Sequence, residues 1–275
     1  MVSANSIPFT VITPTGDRSS SFDICCQYLF RQTVLPNEWI VVDDGEQPQS
    51  IHPVPLGIQL KSIRRERQQH DPQHTLPVQL AVALRHVTTG YVLVMEDDDW
   101  YRQDYCERMM GVFCDHPDAL LVGQAPALYY HIPARRYAPL NNRDRASLCQ
   151  TGFRSELIPE VLRICGECAQ RNDPFVDLNL WRATSRKFVI PDRPRWCVGI
   201  KGLPGRTSDR TIGHNSQYRG YRPDPEGLML QSLIGADVKL YEKFQDPIGC
   251  TLDDRSSILR SGRSLKREAI EKGRA

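Results

Sequence analysis

Four consecutive carboxylates, Glu96-Asp97-Asp98-Asp99, follow directly on the apolar run Tyr91-Val92-Leu93-Val94-Met95. Adjacent acids repel one another unless a cation neutralises them, and hard oxygen ligands at the end of a rigid strand suit Mg²⁺ or Mn²⁺. The run, opened by Gly90, reads as a strand covered on both faces of a parallel sheet. Ligands in open α/β sheets bind just outside the carboxyl ends of such strands. Helix capping is the plainer use of an acid here, with Asp99 or Asp104 as N-cap for a helix over Tyr105 to Phe113. One acid suffices for a cap, so four in a row favour a cation site.

The elements before this stretch carry acids to the same edge. Phe9-Thr10-Val11-Ile12 reads as a short strand, and Thr13 to Arg18 as a turn-forming loop. Ser19 to Ser21 offer cap hydroxyls to a helix with Phe22, Cys25, Cys26, Leu29 and Phe30 at helical spacing, ending near Gln32. Glu38 to Val42 is a second strand that stops at Asp43-Asp44-Gly45. A third strand is expected over Ile58 to Ile63 and a helix over Leu76 to Val87. Two successive β-α-β units should lie parallel, which sets Asp43, Asp44 and Asp97 to Asp99 along one carboxyl edge.

These residues carry a resemblance. Ile12-Thr13-Pro14-Thr15-Gly16-Asp17-Arg18, then Trp39 to Gly45 with its Val-Val-Asp-Asp-Gly, then Gly90 to Trp100 with its acidic run, resemble the nucleotide-sugar half of the family-two glycosyltransferases over roughly residues 8 to 115. The resemblance implies a GT-A fold, α/β and Rossmann-like, with a central, mostly parallel sheet flanked by helices. It implies donor contacts from Thr13, Pro14, Thr15, Arg18, Asp43, Asp44 and Asp97, and a divalent ion, Mn²⁺ or Mg²⁺, on Asp98 and Asp99. The family's first motif acid corresponds to Glu96 or to Asp97, depending on how the run is aligned. In chain terms, residues 1–115 form the donor half, 116–252 the acceptor and catalytic half of the same domain, and 253–275 a basic tail.

Transfer to a hydroxyl requires a base near the attacking oxygen. Asn172-Asp173-Pro174-Phe175-Val176-Asp177-Leu178-Asn179-Leu180-Trp181-Arg182 resembles the family's acidic segment that opens a helix, with one acid of its usual pair replaced by Val176. Asp177 is therefore the candidate base and Asp173 the reserve; Asp173 before Pro174 also suits an N-cap, and an acid in the first turn suits the helix dipole. Lys201-Gly202-Leu203-Pro204-Gly205-Arg206 is a glycine-interrupted basic loop, which brings Lys201 and Arg206 into consideration for the donor diphosphate. His214 in its glycine-flanked loop is either a third metal ligand or a polar surface residue.

Further along, Ala119 to Val122 and Ala127 to Ile132 read as strands joined through Gly123 to Pro126, Arg135 to Tyr137 as a hairpin return, and Asp224 as the cap of a helix through Leu228 to Ile234. Val238 to Tyr241 reads as a last strand. The chain has 275 residues, 40% of them hydrophobic and 25% charged, with no apolar run of membrane-spanning length. The first eight residues lack a signal-peptide layout, so a cytoplasmic protein is expected, in the host cytoplasm for a phage protein. Nine cysteines, scattered through core-like segments, read as reduced thiols, and Cys165 and Cys168 as small buried residues of a helix.

Net charge is only +2, but seven Lys or Arg against two Glu follow from Arg255 onward, and Arg135, Arg136, Arg143, Arg145 and Arg154 cluster mid-chain. A solvated basic surface and a nucleic-acid contact both fit that pattern. The Lys201 to Arg206 and Glu96 to Tyr101 segments also resemble bacteriophage glycosyltransferases, some of which act on hydroxymethylated pyrimidines in DNA. The expected function is therefore metal-dependent, inverting sugar transfer from a nucleoside-diphosphate sugar, UDP-linked, to a hydroxyl, with modified double-stranded DNA as leading acceptor and no membrane partner. A glycan, protein or small-molecule acceptor is the alternative; a nucleotidyltransferase and a non-enzymatic DNA-binding module are the rivals of other classes.

Overall fold

A computed structural model describes residues 7–245 apart from 52, 192–193 and 206–220. Arg206, His214 and the tail from 253 to 275 lie outside the described residues. No helix among those described is long and apolar enough to cross a membrane.

Seven strands form the main sheet in the order β10-β6-β9-β4-β1-β2-β3. β1 (Phe9–Thr15), β2 (Glu38–Asp43), β3 (Gln59–Arg64) and β4 (Tyr91–Val94) are parallel, as expected for successive β-α-β units. The connecting helices are α1 (Ser19–Phe30) between β1 and β2 and α2 (Leu76–Leu84) between β3 and β4. Alternate residues of the central strands point to opposite, equally apolar faces. Trp39, Val41, Leu93 and Met95 join Phe22, Tyr105, Met109 and Phe113 on one side, and Ile40, Val42, Val92 and Val94 join Leu80, Leu84, Val161 and Trp181 on the other. That two-sided burial is why these strands are apolar without alternation.

The structure departs from the sequence expectation in several places. β1 continues to Thr15, because Thr13, Pro14 and Thr15 pair with Val41, Val42 and Asp43; the expected loop is sheet as far as Thr15. β4 is parallel only to β1; its other neighbour, β9 (Thr151–Arg154), runs antiparallel. β6 (Leu121–Ala125) and β7 (Leu128–His131) lie in different sheets: β6 pairs with β9 and β10 (Lys187–Pro191). β7 enters a five-stranded sheet ordered β12-β8-β7-β11-β5. There β8 (Arg136–Pro139) is the expected hairpin return, and β12 (Arg222–Pro223) is the edge. The short β5 (Trp100–Tyr101) pairs antiparallel with β11 (Cys197–Lys201).

The remaining helices are α3 (Tyr105–Asp115), α4 (Ile158–Arg171), α5 (Val176–Ala183) and α6 (Leu228–Ile234). Asp224 caps α6 as expected, accepting from the amides of Met229 (3.0 Å) and Leu230 (3.1 Å). Arg18, rather than a serine, precedes α1, and its carbonyl accepts from Ser21 and Phe22. Asp104 sits at the cap position of α3, but its carboxylate turns to Arg102 (2.9 Å) and Arg108 (2.7 Å). Val238 to Tyr241, expected as a strand, belongs to a 3₁₀ helix over Gly235–Phe244. It is pinned by Tyr28 Oη donating to Tyr241 Oη (2.9 Å) and by Asp237 accepting from Arg31 and from Trp100 Nε1 (2.7 Å). Cys165 and Cys168 are buried on α4.

One polar cluster serves the frame alone. Glu38, at the amino end of β2 and 2% exposed, accepts from Thr10 Oγ1 (2.7 Å), Lys61 Nζ (2.7 Å), and both the amide (3.0 Å) and hydroxyl of Thr88. Burial alone would raise its pKa; Lys61 and the threonine donors outweigh that and hold it at about 2 against an ordinary 4.5. A depressed carboxylate stabilises the fold above its unfolded pKa, and the stabilisation is lost as pH falls from about 4.5 toward 2. Glu38→Gln is therefore expected to cost about 3 kcal/mol at neutral pH. In denaturant titrations the deficit should shrink as pH is lowered through that window, with nucleotide binding unchanged.

Candidate active site

The chain builds outward from β1 to β2 and β3, then returns to place β4 on the other side of β1. The switch point of the sheet lies between β1 and β4, where open α/β sheets form their ligand crevice. Thr15, the last residue of β1, spans it by donating to Asp97 Oδ2 at 2.7 Å. Gln79 of α2 closes the same edge, its Nε2 donating to Thr15 O (2.6 Å) and Val42 O (3.2 Å). No motif marked Gln79; its signal was a lone buried polar residue on an apolar helix.

Two cations face the four acids. Arg18 Nη1 bridges Asp97 Oδ1 (3.1 Å) and Asp98 Oδ2 (2.9 Å). Lys201 Nζ reaches Asp98 Oδ2 (3.5 Å) and Asp99 Oδ1 (3.4 Å). Lys201 is delivered by the β5–β11 pairing, since β5 begins immediately after Asp99, and the Ile200 amide donates to Asp99 Oδ1 at 2.8 Å. Gly199 makes room in β11: a Cβ there would lie 2.2 Å from the ring of Tyr129, which stacks beneath Lys201 Nζ at 5.1 Å. Gly205, with φ of 149°, brings its backbone onto the side-chain stem of Arg18, where a Cβ would lie 2.4 Å from Cγ.

Burial penalises every charge in this cluster, and the neighbours decide the outcome. For Asp98, Lys201 and Arg18 outweigh burial and hold it below the ordinary carboxylate range. Burial wins at Asp97, which is raised despite Arg18, and at Asp99, pushed up to about 6. Glu96 is driven well above its ordinary value by burial and by the nearby charges of Asp99, Asp98 and Asp177. Burial works against the positive charges of Arg18 and Lys201, but the aspartates raise both.

With all four acids ionised the carboxylates would exceed Arg18 and Lys201 by two charges, all on hard oxygens, which matches one divalent ion of the Mg²⁺ or Mn²⁺ kind. The residues fit such a group. Asp99 has a softer surrounding on its other side: its carboxylate and the sulfurs of Cys149 and Cys197 lie within 4.8 Å of one another.

Asp177 enters from α5. Val176, Leu180 and Trp181 are buried, and Trp181 Nε1 donates to Thr151 Oγ1 (3.1 Å), fixing the helix against β9. Asp177 sits in the first turn, its pKa raised by burial against the opposing pull of the helix amides and Arg145. Asp173 is not the N-cap of α5, because the helix starts at Val176; its Oδ1 accepts from the Phe175 amide (2.9 Å) and shapes the turn before the helix.

The structure thus gathers Thr15, Arg18, Asp97, Asp98, Asp99 and Lys201, and the charge of Asp177 is felt at Glu96. Thr13 is turned into the core, where its hydroxyl accepts from Trp39 Nε1 (3.0 Å), and Pro14 lies within the buried strand. Asp43 closes the β2 edge, with Oδ1 taking the Gly45 amide (2.9 Å) and Oδ2 the Gln49 amide and Arg64 (both 2.8 Å). Asp44 is fully buried beside Arg65 (3.6 Å). Arg64, the last residue of β3, and Arg65 just after it supply these two ion pairs.

The family model described as Glycosyl transferase family 2 matches residues 10–178. No curated protein sequence matches the chain. Among solved structures the chain is similar to S. aureus TarS 1-349 in complex with UDP, at 17% identity and a TM-score of 0.53, over 70% of this chain and 60% of that one. It is likewise similar to S. aureus TarS 1-349 in complex with UDP-GlcNAc, at 16% identity and a TM-score of 0.51, over 74% of this chain and 61% of that one. The chain thus spans about 60% of the length of these structures, and the likeness is one of fold.

Proposed function

Because the chain belongs to glycosyl transferase family 2, we propose that it transfers a sugar from a nucleoside-diphosphate sugar, UDP-linked in our reading, to an acceptor hydroxyl with inversion. The observation that carries this reading is the run of carboxylates at the β1/β4 switch point, clamped by Arg18 and Lys201, with the charge of Asp177 felt at Glu96. The UDP and UDP-GlcNAc complexes of the similar TarS structures support the donor class.

Glu96, Asp98 and Asp99 supply the oxygens that would hold the ion, and a Mg²⁺ or Mn²⁺ there supplies Lewis-acid neutralisation of the leaving diphosphate. Arg18 and Lys201 add fixed positive charge to the same side. Asp177 takes the proton of the acceptor hydroxyl as its oxygen bonds to the anomeric carbon; the bond from that carbon to the phosphate oxygen breaks, and the electron pair leaves with the nucleoside diphosphate. Attack opposite the leaving group inverts the carbon.

For the acceptor we propose a hydroxymethylated pyrimidine in DNA. The exposed Arg143 supports it, and Arg145, whose charge is felt at Asp177, adds to it although its Nη1 pairs with Asp144 (3.3 Å). Arg135 and Arg154 do not: Arg135 bonds Pro225 O and Gln245, and Arg154 bonds Ala119 O, Pro117 O and Tyr91. Such an acceptor requires base flipping and binding that weakens steeply with salt.

A panel of nucleotide sugars with Mn²⁺ tests the reading. Release of nucleoside diphosphate is expected, with UDP raising Tm only when metal is present. Release of sugar 1-phosphate would indicate attack on the α-phosphate and overturn sugar transfer, and duplex binding that ignores salt, or no binding, would remove the DNA acceptor.

A further inference from the structure

The thiols beside Asp99 have no part in the chemistry above, and their arrangement is more than incidental burial. Cys149, in the 3₁₀ turn Leu148–Gln150, and Cys197, the first residue of β11, are 1% and 0% exposed. Both backbones are fixed: Cys149 O accepts from Tyr105 Oη (3.1 Å), and Cys197 O from Gln150 Nε2 (3.3 Å). Asp99 is oriented as firmly, its Oδ1 held by the Ile200 amide and Lys201. Its Oδ2 is buried and receives no hydrogen bond from any nitrogen or oxygen among the described residues. The Cys149 thiol donates to this carboxylate, and one carboxylate oxygen lies within 4.8 Å of both sulfurs.

We propose that Asp99, Cys149 and Cys197 form a second metal site, selective for a soft divalent cation of the zinc class, and that filling it blocks the enzyme. Sulfur ligands select against Mg²⁺ and Mn²⁺ and in favour of zinc. Ligand atoms of a tetrahedral zinc site stand roughly 3.5 Å apart, given metal bonds of about 2.0–2.3 Å. The three present atoms lie within 4.8 Å of one another, so closing on an ion takes a shift of about 1 Å. Both thiols lose their protons to solvent on ligation, and water completes the shell. Filling the site withdraws Asp99 from the hard-ion cluster and ties down the start of β11, the strand that carries Lys201. The blocking half rests on the proposed sugar transfer; the binding half does not.

The test uses the reduced full chain and cobalt as the spectroscopic stand-in for zinc. One equivalent of Co²⁺ should give a thiolate-to-metal charge-transfer band that Zn²⁺ displaces and excess Mg²⁺ does not. Cys149→Ser and Cys197→Ser should each abolish it, while Cys168→Ser, on α4, should keep it. X-ray absorption at the zinc edge of the wild-type chain, which needs no variant, should show two sulfur ligands. No band, a band indifferent to Cys149→Ser and Cys197→Ser, or a sulfur-free zinc shell would overturn the site. Zinc should also suppress nucleoside-diphosphate release at concentrations at least about tenfold below those needed for Cys197→Ser, tenfold being the lower end of the effect of losing a supporting group at a metal site. Tight zinc binding without that suppression would overturn the blocking role, and a chain that turns over no sugar would still answer the binding question.

Discussion

Asp177→Asn is expected to lower kcat by about 10²- to 10⁴-fold, or about 3 to 5 kcal/mol, while leaving UDP binding within about twofold of wild type. The split follows from position. Asp177 stands in the first turn of α5, and among the described residues no ion pair links it to Arg18 or Lys201, which grip the acids after β4. Asparagine keeps the shape and the first-turn placement but removes the proposed base. Burial raises the Asp177 pKa, opposed by the helix amides and Arg145, with Asp173 adding a like charge and Glu96 nearby. A base works when deprotonated, so activity should rise with pH along a limb set above the ordinary carboxylate value of 3.8. That limb should vanish from the residual activity of Asp177→Asn, whereas a purely structural role would lower kcat and leave the limb in place.

Asp98→Asn should have an effect of comparable size through a different parameter. Asp98 Oδ2 is the one atom held by both Arg18 (2.9 Å) and Lys201 (3.5 Å). The substitution removes a proposed ligand and one carboxylate charge at once. Neutralising a leaving diphosphate is worth several kcal/mol, so kcat/KM should fall by about 10³-fold and the metal dependence of UDP binding should disappear in calorimetric titrations. Retained metal-dependent binding would place the ion elsewhere.

How much of this could be read beforehand depended on where burial was the deciding force. The edge formed by β1, β2 and β4 was legible because strands covered on both faces must be continuously apolar, so the acids that end them stand out. β1 itself was cut short: Thr13, Pro14 and Thr15 carry turn-like residue types, yet pairing with Val41 to Asp43 extends the strand. The antiparallel insertion of β9 and the division of β6 and β7 between two sheets arise from long-range pairing that no local pattern encodes. For the same reason the partnership of Lys201 with Asp98 and Asp99 was legible only as charge in a glycine-rich loop; β5 pairing with β11 creates it. Gln79 went unread because an amide on an apolar helix shows its use only when the ends of β1 and β2 lie beside it. The 3₁₀ helix over Gly235–Phe244 defied its strand-like alternation because anchoring by Tyr28, Arg31 and Trp100 determines its path.

The most direct measurement is the anomalous scattering of manganese in crystals of the chain soaked with Mn²⁺ and UDP. One peak is expected against the carboxylates that follow Met95, with the nucleotide over the gap between β1 and β4. Manganese density away from those oxygens, or UDP bound on another edge of the sheet, would contradict the account.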